Sequence, residues 1–341
     1  MRYRLPAEWE PQCLVMLTWP HQNTDWAPYL DEITKTYVEM ANVITQYEKL
    51  LVVTPNPVEV GATLSKNLSN SQMARVVIGY CKTNDTWARD HGPITLIETE
   101  NDGQERLLCL DFRFNGWGEK FPAELDNRIT RQVFKELLDD EVLTGEIGSG
   151  NDDFVLEGGS IESDGKGTVF TTECCLMAPK RNQPLTKEDV EQELLLRLKA
   201  KRIIWLQHGA LAGDDTDGHI DTTVRIAPED TILFSSPADK KELEGLRTLD
   251  GKQYRLMELP LPIVEFDGEK LPATYANFLI INGAVIVPTY NIPDMDAKAC
   301  EIIQTAFPDR KIIAIDATTI VRQHGSIHCC TMQVPAIKDM L

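Results

Sequence analysis

Cys329 stands between His328 and Cys330 in the segment Gly325-Ser-Ile-His-Cys-Cys, after the strand-like Ile312 to Ile315 and before the C-terminal tail. Cysteine is the readiest nucleophile among side chains, because part of it is thiolate at neutral pH and a nearby base or cation raises that share. The blander alternative is a buried structural thiol. Cys330 serves as an internal control, since strand-like alternation points it away from Cys329.

A second constellation is Asp214-Asp-Thr-Asp-Gly-His219-Ile-Asp221, with four carboxylates and an imidazole in eight residues, between strands ending near Leu206 and beginning near Thr222. In an extended segment His219 and Asp221 project to the same side, so one face offers a proton carrier and a carboxylate. Three readings stay open: a metal site on hard carboxylates and a His, a metal-free acid/base pair facing a cation, or a polar Asp/Gly turn. Two further segments carry carboxylates: Trp87-Ala-Arg-Asp90-His-Gly-Pro, read as a polar strand end, and Glu157-Gly-Gly at the end of the apolar Phe154-Val-Leu. Paired glycines after a carboxylate let a ligand or loop approach the backbone closely. The aromatic stretch Phe112-Arg-Phe-Asn-Gly-Trp117-Gly reads first as loop packing.

The elements that must position these groups follow a weak repeat of pattern: strand, turn, second strand, amphipathic helix, apolar strand. One copy runs from Asp153 to Gln207, with a helix over Thr186 to Leu198 that opens on a Thr cap and an acidic turn and lines Val190, Leu194, Leu195 and Leu198 on one face. Another begins at Tyr275, with a hairpin at Asn282-Gly283, a helix over Asp296 to Phe307 and a strand at Lys311 to Ile315. Less complete copies start near Leu14, Gly92 and Thr222, so five units of about 65 residues consume the chain. Arranged radially they make one domain, residues 1–341, with a central cleft; an ordinary αβ sandwich is the alternative. Each candidate lies near the end of an early strand of its unit, so radial repetition brings a thiol, an imidazole and carboxylates to that cleft. Carboxylates beside a thiolate repel a developing oxyanion and suit a cation held by paired hydrogen bonds, which a planar guanidinium matches.

Composition sets the outer bounds. The 341 residues are 42% hydrophobic and 26% charged, and no apolar run approaches the roughly 20 residues of a membrane span. A net charge of −19 argues against nucleic acid or an anionic membrane as partner and is compatible with a small cation. Eight irregularly spaced cysteines predict free thiols, and the N-terminal residues lack the apolar run of a secretory leader, so a cytoplasmic location is expected. The oligomeric state, a homo-oligomer included, is open at this level.

Taken in order, the motifs Leu5-Pro-Ala-Glu-Trp-Glu-Pro, Trp19-Pro, Asp85-Thr-Trp-Ala-Arg-Asp90, Phe114-Asn-Gly-Trp-Gly, Leu156-Glu-Gly-Gly, Thr216-Asp-Gly-His-Ile-Asp221, Tyr275-Ala-Asn-Phe, Val285-Ile-Val-Pro and Ile327-His-Cys329 resemble the agmatine deiminase family, also called bacterial-type peptidylarginine deiminases. The resemblance implies a five-bladed αβ propeller of the guanidine-modifying superfamily. It implies Cys329 as nucleophile, His219 as general acid/base and Glu157 as a carboxylate at the guanidinium and beside that His. Asp90 and Asp221 would clamp the guanidinium, and Trp87 would line the pocket. It implies hydrolytic deimination of a small cationic guanidino compound, agmatine first, through a covalent thiouronium intermediate, with no metal and no organic cofactor. Free arginine or peptidylarginine is the alternative substrate. Two departures bear on the substrate's distal end: Gln323-His324-Gly325-Ser326 replaces a Gly-Gly-Gly-Asn-like run, and Trp117-Gly118-Glu119 replaces Trp-Gly-Gly. Rivals are an amidinotransferase, a metal-dependent hydrolase on Asp215, Asp217 and His219, and a non-catalytic binding propeller.

Overall fold

Short apolar runs separated by turns and amphipathic helices build a mixed α/β chain of several small sheets. The computed structural model describes residues 2–149, 151–207, 209 and 211–340. They form two compact units. The first comprises Glu10–Gly158 together with the residues up to Tyr3 and from Cys329 onward; the second comprises Arg4–Trp9 and Gly159–His328.

In the first unit, the strand Gln12–Thr18 pairs antiparallel with the C-terminal strand Thr331–Pro335 and parallel with Lys49–Thr54, which pairs parallel with Val76–Tyr80. The helix Leu30–Tyr47 makes the crossover. Its buried Ile33, Tyr37, Met40, Ala41 and Ile44 recur at helical spacing on one face. A second sheet pairs Ile94–Thr99 antiparallel with Glu105–Leu110 and, after a helical segment, Glu105–Leu110 parallel with Gly145–Gly148. Leu14, Met16, Leu51, Val53, Ile97, Leu107, Phe134 and Val334 join both sheets in one core.

The second unit repeats the same grammar three times. Ile161–Ser163, Thr168–Thr172 and Arg202–Leu206 form one sheet, with the helix Lys187–Arg197 in the crossover. Val224–Ala227, Thr231–Phe234 and Arg255–Glu258 form the next, and Leu279–Ile281, Ala284–Thr289 and Lys311–Asp316 the third, crossed by the helix Pro293–Ala306. In each, the first pair is antiparallel and the last parallel, so the strand, strand, helix, strand pattern of the sequence is real. The expected caps hold: Thr186 and Asp189 form a reciprocal capping box, and Asn282-Gly283 closes its hairpin with Gly283 at φ 72°.

Three local expectations are corrected. Phe154-Val-Leu is not the first strand of its copy: Val155 makes only an isolated bridge to Arg113, and the strand starts at Ile161, after the glycines. The copy near Leu14 takes its antiparallel partner from the far end of the chain, a pairing that no local period reports. The candidate carboxylates and the thiol precede strands of their sheets and do not end them. Asp90 lies just before Ile94, Glu157 before Ile161, Asp221 before Val224 and Cys329 before Thr331. Among the described residues no helix is long and apolar enough to cross a membrane, and all eight cysteines are free.

Candidate active site

In the first unit, Asp90 sits in a one-turn helix, Ala88–His91, with Trp87 just before its first residue, and is not at a strand end. Gly92 and Pro93 stop the helix and turn the chain into Ile94–Thr99. Trp87, Arg89, Asp90 and His91 are all buried. The indole Nε1–H of Trp117 donates to Asp90 Oδ2 at 3.0 Å. Trp117 reaches that position from a left-handed backbone (φ 56°, ψ 48°), steadied by Asn115 Oδ1 accepting from the Gly118 N–H at 2.9 Å and by Phe114, whose ring lies 4.9 Å away edge-on. The stretch read as loop packing thus holds a carboxylate.

Cys329 is buried in a turn spanning 327–330, so the alternation expected for Cys329 and Cys330 does not apply. Its carbonyl oxygen accepts from the Arg89 backbone N–H at 3.1 Å, which joins the thiol's turn to the helix that bears Asp90. Glu157 approaches the same point: a Cβ on Gly158 would lie 2.2 Å from the Arg89 carbonyl oxygen, so only glycine allows this contact. Glu157 itself is fully buried. Cys330 is a structural thiol, buried against Tyr37, and burial pushes it up to about 12.

In the second unit, the acidic segment folds around its own backbone. Asp214 Oδ1 accepts from the Thr216 N–H and hydroxyl at 3.1 and 2.6 Å, and Oδ2 accepts from the Gly218 N–H at 2.6 Å. Asp217 Oδ2 accepts from buried Arg181 at 2.8 Å. Asp215 faces His324 at 3.3 Å. Among the described residues, the ligand atoms of Asp215, Asp217 and His219 do not gather within 4.8 Å of one another, so that metal triad is not assembled. His219 is fully buried, with its backbone N–H donating to Thr216 Oγ1 at 3.0 Å. Asp221 falls in a 3-10 turn, Ile220–Thr222, and not in extended chain, so the expected alternation of His219 and Asp221 is replaced by turn geometry.

Asp221 is fully buried and its Oδ2 meets two donors: His328 Nδ1 at 2.7 Å and Asn277 Nδ2 at 3.2 Å. Burial opposes its ionisation, but the hydrogen bond and charge of His328, with His219 and Arg225 beyond, outweigh burial and hold the carboxyl below its ordinary range. His328 Nε2 faces Glu8 at 2.9 and 3.0 Å. Glu8 Oε2 accepts from Arg225 at 2.7 Å, and Arg225 Nε donates to Glu162 at 2.5 Å. Burial raises Glu162 and Arg225 opposes that rise. Glu8, Glu162 and His328 have a metal-like grouping, but the two carboxylates hold the Arg225 guanidinium as their cation. Sequence reasoning assigned no role to His328, Glu8, Glu162, Arg225 or Asn277. The available signals were a Glu and an Arg inside apolar strands, Ile161-Glu-Ser and Val224-Arg-Ile, and the motifs around Glu8 and Asn277.

At both departures from the glycines that the resemblance expects, the backbone is left-handed: φ is 66° at His324 and 64° at Glu119. His324 is compensated by its Nδ1–H donating to the Gly213 carbonyl at 2.6 Å, and Ser326 Oγ meets Tyr290 Oη at 2.9 Å.

The sequence model of the Porphyromonas-type peptidyl-arginine deiminases matches residues 4–335. A solved protein of Porphyromonas gingivalis, described as a candidate arginine deiminase, is 44% identical, with a TM-score of 0.86 over 98% of each chain. A cysteine-to-serine variant of C. jejuni agmatine deiminase with substrate bound is 34% identical, with a TM-score of 0.85 over 98% of this chain and 97% of that one. Agmatine deiminase of Medicago truncatula is 30% identical over 98% of this chain and 97% of its own. The fold and these relatives define an agmatine deiminase-like hydrolase of guanidino compounds. The chain belongs to the Porphyromonas-type peptidyl-arginine deiminase family.

Proposed function

We propose that the enzyme hydrolyses agmatine to N-carbamoylputrescine and ammonia, with Cys329 as nucleophile. Residues 1–341 make one cytoplasmic catalytic domain in this proposal, with the five sheets of three or four strands as blades of a propeller. The Cys329 thiolate attacks the guanidinium carbon, His219 delivers a proton to the departing ammonia, and a covalent thiouronium remains on sulfur. Water deprotonated by the same imidazole adds to that carbon, and the carbon–sulfur bond breaks to leave the ureido product and the free thiolate. Glu157 is the carboxylate at the guanidinium beside His219, Asp90 and Asp221 clamp the cation, and Trp87 lines the pocket. No metal or organic cofactor takes part.

The observation that most supports this reading is the Arg89 N–H to Cys329 carbonyl bond, which links the thiol's turn to the helix of Trp87 and Asp90. An Asp221 held below the ordinary carboxylate range suits a cationic substrate. The agmatine choice leans on the substrate-bound relative; the 44% identical candidate arginine deiminase favours arginine, yielding citrulline, as the second reading.

The test is mass spectrometry of the protein with a panel of agmatine, arginine, peptidylarginine and other guanidines, with and without EDTA. Expected are an adduct on Cys329, a ureido product from agmatine, indifference to chelator, and silence in Cys329→Ala with most activity kept in Cys330→Ala. An active Cys329→Ala removes the nucleophile assignment. Transfer of the amidino group to an added amine identifies an amidinotransferase, and arginine turned over in preference to agmatine installs the second reading.

A further inference from the structure

We infer that His328, the residue before the proposed nucleophile, is a positioning residue for Asp221, and that Glu8 sets the orientation of its ring. The inference rests on Asp221 being a substrate clamp.

A buried carboxylate that must receive a cation in one orientation needs a donor that fixes it before the substrate arrives. His328 supplies that donor, Nδ1 at 2.7 Å from Asp221 Oδ2, and is itself fully buried. An imidazole left alone can flip or change tautomer and withdraw the donor. Glu8 opposes Nε2 with both oxygens, so the ring donates toward Asp221 and Glu8 together only as imidazolium. Glu8 is in turn fixed by Arg225, which is over-determined: Nε to Glu162, a terminal N–H to Glu8, the other terminal nitrogen to the carbonyls of Ala276 at 3.0 Å and Phe278 at 2.5 Å, and its face on the Phe278 ring at 4.4 Å. Asn277 closes the circuit, donating to Asp221 Oδ2 and accepting the His328 backbone N–H at 3.1 Å. The chain of contacts thus runs from Glu162 through Arg225, Glu8 and His328 to Asp221, with every charge facing its opposite. Glu162 and Arg225 lie in strands, Asp221 and His328 in turns that precede strands, and Glu8 in the N-terminal segment.

Two isosteric substitutions separate positioning from mere packing. His328→Asn keeps an amide N–H where Nδ1 was and so can still address Asp221; His328→Gln keeps one where Nε2 was and addresses Glu8 alone. With agmatine and the full-length enzyme, His328→Asn is expected to hold kcat/KM within about tenfold of native, and His328→Gln to lose about a hundredfold, carried mainly by KM. Glu8→Gln, which keeps shape and removes charge, is expected to raise KM at least about fivefold while kcat changes little. Equal losses in the two His328 variants overturn the inference, as does an unchanged KM in Glu8→Gln; if His328→Asn fails to fold by its thermal melt, the Glu8→Gln result decides alone. Asp221→Asn is the control. If it cripples a native enzyme that turns over agmatine and the His328 variants do not differ, the inference alone fails. If Asp221→Asn leaves turnover intact, the clamp role and the inference built on it fail together.

Discussion

The indole N–H of Trp117 donates to Asp90 Oδ2 at 3.0 Å, and it does so from a backbone conformation that a bulky L-residue rarely adopts. The strain is held by Asn115, by the edge contact with Phe114 and by the Phe121 ring 5.6 Å away. Substituting Trp117→Phe keeps the apolar packing and removes the donor. A hydrogen bond to a charged group contributes about 1.5–3 kcal/mol, so KM for a guanidino substrate should rise about tenfold or more while the thermal midpoint moves little. Steady-state kinetics beside a melting curve check this.

Gly158 is pressed against the Arg89 carbonyl. A Cβ there would lie 2.2 Å from that oxygen and 2.7 Å from the Met332 methyl, both inside the same unit. Gly158→Ala must therefore push the Glu157 segment away from the helix of Asp90. The expected cost is about 1–3 kcal/mol in urea unfolding, with turnover falling more than that loss of folded protein explains.

Asp214 braces the loop that bears His219 through three hydrogen bonds, two of them to backbone N–H groups. Asp214→Ala should speed amide exchange at Thr216 and Gly218 and, with His219 as the proposed general acid, lower kcat at least about tenfold, because such a group misplaced by an ångström loses much of its effect. Asp214→Asn, which retains one acceptor, should fall between. Unchanged exchange at those amides would sink the prediction.

His91 is fully buried, with Nε2 on Thr18 Oγ1 at 2.8 Å, and burial lowers it from 6.5 to about 3. The folded state therefore binds fewer protons than the unfolded state between those values, and stability is lost as pH falls through that window. In the upper part, from pH 6.5 to 5, the buried Asp85, raised to about 7, acts with the opposite sign. There His91 alone contributes a slope of up to about 1.4 kcal/mol per pH unit, and about 2 kcal/mol in total. His91→Gln should remove that contribution, so that urea-melt stability falls less, or rises, as pH drops across that interval; an unaltered slope would show that another group carries the acid sensitivity.

Much of this protein is written locally. The hairpin at Asn282-Gly283, the capping box at Thr186 and Asp189, and four of the strand, strand, helix, strand copies follow from neighbouring segments, where turn chemistry and side-chain period act directly. The acidic segment around His219 and the Cys329 segment were visible as chemistry for the same reason. Tertiary structure decided what those residues face. The Thr331–Pro335 strand completes a sheet begun at Gln12, and Glu8 reaches His328 across 320 positions, pairings for which no local period exists. It also turned Ala88–His91 into a helix and Ile220–Thr222 into a tight turn, because holding buried carboxylates against fixed donors outweighs the extended preference that alternation suggested. The sequence alone determined which residues could do chemistry; long-range hydrogen bonding between buried charges decided which of them are held and by what, since each such charge requires a partner wherever in the chain that partner lies.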